Sequence, residues 1–267
     1  MTSSREGAIS VVISTFERPD ACERALRSVL DQDHRPLEVL VCDNGSSDDT
    51  AARFLEWQDR RGDVRYLRTT SNSGTPATTR NLGIEHARGD WIAFLDDDDT
   101  WLPGKLARQQ TIITSGVADV IATNALCSDG DVYFAGASPL QTPTRNDLLK
   151  RNPIITSSAV VRRSLAGFPT AVWMSGIEDY AAWLALADRG ARFAVLGEPL
   201  VLYNDAGSER LSAARASRQM AMARLAWQRA MRRPLESSGF ASALRSTAGV
   251  AHVALGDWLA AVRQRDQ

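Results

Sequence analysis

Trp91-Ile-Ala-Phe-Leu-Asp-Asp-Asp-Asp-Thr-Trp101 is the stretch from which the rest of this chain is read. Its apolar start predicts a short strand buried on both faces. That strand runs straight into four consecutive carboxylates, Asp96, Asp97, Asp98 and Asp99. Like charges gathered at the end of a buried strand are costly unless a positive partner joins them. A divalent cation is the simplest such partner, and hard oxygen ligands suit Mg²⁺ or Mn²⁺, with a phosphate-bearing ligand completing the shell. The competing interpretation is a solvated acidic turn between strand and helix, and the run by itself leaves both open.

Working outward, the stretch before it alternates strand and helix. Ala8–Ser14 is a predicted buried strand, ending at Thr15-Phe-Glu-Arg-Pro19, where Pro19 and Asp20 start a helix carrying Ala21, Ala25, Leu26, Val29 and Leu30. Leu37–Cys42 is a second strand, followed by the polar loop Asp43-Asn-Gly-Ser-Ser-Asp-Asp-Thr50 and a helix with Phe54, Leu55 and Trp57. Val64–Arg68 is a third strand, 71–76 a loop and Ala77–Ala87 a helix. Such alternation predicts an α/β sheet with mostly parallel neighbours, whose ligands bind at the loops after the strands' carboxyl ends. Loops 15–19, 43–49 and 96–101 are polar and should converge on one crevice. A dinucleotide fingerprint and a P-loop are both missing, so neither of those nucleotide sites is expected.

Downstream, 117–122, 131–134 and 157–162 are predicted strands, as are 192–195 and 199–203. Gly176-Ile-Glu-Asp-Tyr180 opens an apolar helix with two acids, which complement a helix dipole whatever else they do. From Ala213 the character changes to arginine-rich amphipathic helices with Met220, Met222, Leu225 and Trp227. Packing on the main domain is the first reading of these helices; peripheral membrane contact or a homodimer is the alternative.

Composition sets bounds on function. The chain has 267 residues, 44% apolar and 24% charged, which is ordinary for a globular protein with a sizeable core. A net charge of −1 offers no general attraction for nucleic acid. Cys22, Cys42 and Cys127 lack metal-site spacing and read as reduced thiols. No transmembrane-length run or signal peptide is seen, so the expectation is a cytoplasmic protein, with the basic helices admitting contact with the inner membrane face.

Four stretches together resemble the family 2 glycosyltransferases: Ser10–Pro19 with Leu26–Gln32; Leu40–Thr50; Arg80–Ile84 with Gly89–Trp101; and Gly176–Tyr180 with Trp183–Ala187. Their order and spacing span residues 8–203. The resemblance implies a GT-A fold: a mixed, mostly parallel central sheet flanked by helices, here with a C-terminal helical extension. It divides the chain into a glycosyltransferase domain, 1–212, with a nucleotide-binding half at 8–101 and an acceptor half at 102–212, and an extension at 213–267. The implied activity is inverting, metal-dependent transfer of one sugar from a UDP- or dTDP-linked donor to an acceptor hydroxyl in glycan or glycoconjugate synthesis.

Carried over by position, the resemblance places Thr15, Glu17, Asp43, Asn44 and Arg80 around the nucleotide. It sets Asp96 and Asp97 toward ribose and phosphates, and Asp98, with Asp96, on Mn²⁺ or Mg²⁺. Asp179 becomes the catalytic base, with Glu178 beside it, and Asp99 caps the helix starting near Pro103. Asn44 stands where many relatives have Asp; its amide oxygen remains an acceptor for the N3–H of uracil or thymine. The segment after Tyr203 lacks the histidine many relatives carry, and Asp205 is a candidate substitute. His34, His86 and His252 are expected to be structural or exposed. Trp173 is either a sugar-stacking residue or core. The acceptor is a glycan, a lipid-linked molecule or a small molecule. A processive polymerase motif is lacking. The alternative function is a non-catalytic binding relative of the same fold, and a nucleotidyltransferase is disfavoured by the composition of 15–19.

Overall fold

The computed structural model describes residues 7–171 and 174–204. The expectations for Trp173, Asp205 and the extension 213–267 lie outside those residues.

The first half follows the apolar pattern closely. Strand β1 (Ile9–Thr15) is buried along its whole length and pairs in parallel with β2 (Glu38–Asp43) on one side and β4 (Trp91–Asp96) on the other. Strand β3 (Val64–Arg68) adds to the far edge of β2, again in parallel. Three helices make the crossovers. Helix α1 (Pro19–Leu30) begins with proline, whose missing N–H costs nothing in a first turn, and buries Cys22, Ala25, Leu26, Val29 and Leu30. Helix α2 (Thr50–Arg60) buries Phe54. Helix α3 (Pro76–His86) is capped by the Thr75 side chain, which accepts from Ala77 N.

The side-chain alternation of a strand splits the core between two faces. Val11, Ile13, Val39, Val41, Ala93 and Leu95 join α1 and Phe54 in one cluster. On the opposite face Gly83 of α3 lies against Val12 and Cys42, and Phe94 meets Phe168 and, through it, Trp183 in edge-on aromatic contacts. The domain is therefore a three-layer α/β/α sandwich.

Beyond β4 the sheet turns mixed. Its order is β3-β2-β1-β4-β8-β6-β9-β5, with β7 beside β9. The added strands are β5 (Thr100–Trp101), β6 (Val120–Cys127), β7 (Leu140–Gln141), β8 (Val160–Arg162) and β9 (Phe193–Tyr203). Strand β8 is antiparallel to both β4 and β6, whereas β6 and β9 are parallel. Helices α4 (Lys105–Ser115), α5 (Arg145–Lys150) and α6 (Glu178–Asp188) complete the described residues. No helix among them is long and apolar enough to cross a membrane.

Three expectations are corrected here. Residues 131–134 form no strand: pairing is limited to a single bridge of Val132 to Leu126 with its two flanking backbone bonds, and at Phe134 the Asn124 side chain bonds both N–H and C=O. The strand expected from 157 starts only at Val160, because Thr156–Ser158 is a turn of 3-10 helix. The two short strands after Arg192 are one strand, β9, whose register against β6 shifts around Asn124, where Pro199 has no N–H to give.

Candidate active site

Register in the parallel half brings the polar loops together. Thr15 lies opposite Asp43, and Ser14 lies opposite Asp96, so three neighbouring strands end in a row at their carboxyl ends. Loops 15–19, 43–49 and 96–101 meet there, as expected. Ser14 Oγ donates to Asp96 Oδ1 at 2.9 Å, and Thr15 Oγ1 donates to Asp97 Oδ2 at 2.8 Å. Glu17, the one non-glycine residue with positive φ among those described, gives its N–H to Ser46 Oγ, and its carboxylate accepts from Ser47 Oγ at 2.6 Å.

The four aspartates occupy four different environments. Asp96 has a partly exposed side chain and is tied to Ser14 and Arg80. Asp97 is buried, and burial pushes its carboxyl up to about 6 against the Thr15 hydroxyl. Asp98 has a more open side chain than either, 38% exposed, and burial followed by the charge of Asp96 raises its carboxyl above the usual range. Asp99 is sealed under the loop and raised to about 8 by burial and by Asp96.

Asp99 does not cap α4. The residue at that cap is Gly104, in a left-handed conformation. Asp99 instead accepts from Ser157 Oγ and from the N–H of Asn204 at 2.9 Å, joining loop 96–101 to the end of β9. An acid just ahead of Leu-Pro-Gly looks like a cap in sequence; the fold presents it with stronger donors from farther along the chain.

The second loop is organised from below. Asp43 is fully buried, its Oδ1 accepting from Ser46 N and Oγ and its Oδ2 from the Tyr66 hydroxyl. Asp43 thus shapes the loop from the crevice floor. Asn44 is similarly engaged: its Oδ1 accepts from Ser73 N at 3.1 Å and Ser73 Oγ at 2.9 Å, and its Nδ2 donates to Asn72 Oδ1. The oxygen expected to meet a pyrimidine N3–H thus faces Ser73 in this arrangement. Gly45 follows with φ +79°, and a Cβ there would lie 2.6 Å from the Ser71 backbone. Loop 43–49 therefore rests directly on 71–73, a loop whose polar composition alone gives it no role.

Arg80 is the link between the halves. It is buried; Nη2 donates to Asp96 Oδ1 at 2.7 Å and Nη1 to Glu178 Oε1 at 2.8 Å. Burial opposes its charge, but Asp96 and Glu178 more than offset this and hold it protonated. Its guanidinium also lies 5.3 Å above the Phe168 ring. Glu178 is buried, while Asp179 keeps partial access to solvent within dense surroundings. Burial, and then the neighbouring charge of Glu178, raise Asp179 to about 6 despite Arg80 and hydrogen bonds from Tyr180 N and Thr156 Oγ1. Thr156 carries no motif of its own in the sequence.

A divalent cation fits the Asp96–Asp98 corner on the chemistry of its donors: hard carboxylate oxygens whose charge is under-compensated. Arg18 already supplies a positive stand-in there, Nη1 lying 3.4 Å from Asp97 and 3.0 Å from Asp98 on a side chain 57% exposed. No group of three or more acidic, histidine or cysteine side chains that would hold a metal unaided occurs among the described residues. Two carboxylates with phosphate oxygens are the usual provision for Mg²⁺.

Comparison with known proteins places this geometry. The family model described as Glycosyl transferase family 2 matches residues 10–166. The chain is 30% identical over 179 residues to the Escherichia coli UDP-Glc:alpha-D-GlcNAc-diphosphoundecaprenol beta-1,3-glucosyltransferase WfgD, covering 67% of this chain and 69% of that one. It is 29% identical to the putative teichuronic acid biosynthesis glycosyltransferase TuaG of Bacillus subtilis, covering 73% and 78%. Among solved structures, S. aureus TarS 1-349 in complex with UDP superposes with a TM-score of 0.65 at 20% identity, covering 86% of this chain and 68% of that one. The mannosyltransferase PcManGT from Pyrobaculum calidifontis, in complex with GDP-Man and Mn²⁺, gives 0.62 at 22% identity, covering 94% and 80%. At these identities the structural likenesses carry the fold alone.

Proposed function

The chain belongs to glycosyl transferase family 2, and on that premise we propose that it moves one sugar, with inversion, from a UDP-linked donor to a hydroxyl of a lipid-linked glycan. The observation that carries the proposal is the position of Asp179. It is a partly open carboxylate directly after Glu178, which Arg80 joins to Asp96 of the aspartate run. UDP is preferred to dTDP because the donor in the name of the E. coli relative is UDP-linked. The lipid-linked acceptor follows from the diphosphoundecaprenol in that name, and work on such a substrate would place the enzyme at the inner membrane face.

In this mechanism Thr15 and Glu17 border the nucleoside, with Asp43 and Asn44 holding their loop in shape. Asp98 and Asp96 would hold Mn²⁺ or Mg²⁺. When bound, the ion supplies positive charge against the diphosphate leaving group. Asp179 takes the proton of the acceptor hydroxyl as its oxygen bonds to the anomeric carbon and the bond from that carbon to the diphosphate breaks. One displacement from the face opposite the leaving group inverts the anomeric centre. A value near 6 suits Asp179 to the role of base, because the group is largely ionised at neutral pH yet more basic than an ordinary aspartate.

A thermal-shift panel of UDP-, dTDP- and GDP-sugars with and without Mn²⁺ tests the donor, since a ligand of the native state raises the melting point. Turnover of the stabilising donor with a lipid diphosphate-linked sugar tests the transfer. Stabilisation by a donor with neither transfer nor slow hydrolysis would favour the non-catalytic alternative.

A further inference from the structure

Arg80 and Glu178 have their charges satisfied by each other and by Asp96, which is unusual for two residues expected to meet substrate. Glu178 has no oxygen left over. Oε1 accepts from Arg80, Oε2 accepts from Gly176 N, and the residue is 4% exposed. A proton acceptor must reach the acceptor hydroxyl, and Glu178 lacks that access with both oxygens already engaged.

Arg80 is equally committed. Its second nitrogen is held by Asp96, its flat face lies over Phe168, and its Nε is buried without a hydrogen-bond partner among the described residues. Folded proteins seldom leave a buried donor unpaired, so the position of the guanidinium is retained against a cost. The next residue reinforces it: Asn81 Nδ2 donates to Phe168 O at 2.8 Å, and Phe168 N donates back to Asn81 Oδ1 at 2.9 Å. Helix α3 thus grips the acceptor half twice, once through Phe168 and once through Glu178, the first residue of α6.

We infer that Arg80 and Glu178 form a strap that fixes Asp179 relative to the donor-facing Asp96, with Glu178 a positioning residue and not a proton acceptor. The inference rests on the proposed transfer with Asp179 as base. It adds that one buried cation joins the donor-facing acid to the acid pair of α6, since Asp96 ends β4 and Asp179 follows Glu178 directly. The charged and titratable groups facing Asp179 are Glu178 on its own helix, Arg80 from α3 and Tyr203 from β9, with the Thr156 hydroxyl beside them.

The test is a double-mutant cycle of Glu178→Gln and Arg80→Gln, with Asp179→Asn as reference. Each single variant should lower kcat about 10- to 100-fold, as a small displacement of a reacting group does, with donor KM within about threefold for Glu178→Gln. The double variant should lose no more than the worse single. The pH midpoint of kcat should fall in Glu178→Gln, where a neighbouring negative charge is gone, and rise in Arg80→Gln, where the cation is gone. Carbon-13 NMR titration of the Asp179 carboxyl reads the same opposed shifts without turnover. A protein that transfers no sugar yet shows them fails the proposed function and keeps the strap. Multiplying losses, unmoved midpoints, or a Glu178→Gln variant as inactive as Asp179→Asn would overturn the strap. If Arg80→Gln does not fold, the Glu178→Gln rate and midpoint decide alone.

Discussion

Replacing Asp179 by Asn should abolish transfer and stabilise the protein, and the second effect can be worked from its surroundings. The carboxyl is raised from the usual 3.8 to about 6, chiefly by burial and then by Glu178. Between those pH values the folded protein keeps a proton that the unfolded chain has lost. Stability therefore falls as pH rises through that window and stays lower above it. The full difference corresponds to about 3 kcal/mol, and water reaching the crevice reduces it to about 1–3 kcal/mol. Asn is nearly isosteric, its Oδ1 can still accept from Tyr180 N while its Nδ2 donates to Thr156 Oγ1, and it carries no charge to desolvate. Urea denaturation at pH 7.5 should then show the Asn variant more stable by about 1–3 kcal/mol, with the gap closing toward pH 4. Transfer should be undetectable in the same preparation. A variant less stable than its parent at pH 7.5, or one that keeps its transfer rate, would refute the reasoning: the first denies the burial cost and the second denies the base. Stability traded for function is a recurrent property of active sites.

Other sites give independent checks. Asp98→Ala should weaken donor binding about tenfold or more in Mn²⁺ and remove its Mn²⁺ dependence; calorimetry giving equal affinities with and without the ion in both proteins contradicts the metal assignment. Gly45→Ala forces a Cβ to within 2.6 Å of the Ser71 backbone at positive φ, so a loss of about 1–3 kcal/mol in stability and weaker donor binding are expected; an unchanged melting point argues against the contact. Asp119 accepts from Arg192 N, Nε and Nη2 and from Arg162, and the Arg192 hydrogen bonds hold its carboxyl down at about 2. Its stabilisation is present above about pH 4 and lost as pH falls toward 2, so Asp119→Asn should cost about 1–3 kcal/mol at pH 7 and progressively less in acid, read by denaturant titration across pH.

How much of this is legible in the sequence depends on range. Strands β1 to β4 announce themselves as compact apolar runs bounded by polar loops, and β1, β2 and β4 are buried on both faces. Their loops then converge by topology alone. The later strands do not, because Asn124 ends the pairing at Phe134 with side-chain bonds and β9 changes register at Pro199, both invisible to periodicity. Within the site, residue types are readable and their engagements are not. The oxygen of Asn44 belongs to Ser73, and Asp99 belongs to Ser157 and Asn204. The partner of Glu178 lies 98 residues earlier. Nothing local at Gly176-Ile-Glu-Asp distinguishes a helix-capping acid pair from a strapped acid beside a base.

The placement of β4 also bears on how the chain assembles during synthesis. Its inner edge is matched by β1 as soon as residue 96 has emerged, but its outer edge waits for β8 at 160–162. Until then Trp91–Leu95, an apolar strand with open backbone groups, is a template for pairing with another nascent chain. A fragment ending before Val160 is thus expected to aggregate, whereas one ending after Arg162 closes that edge.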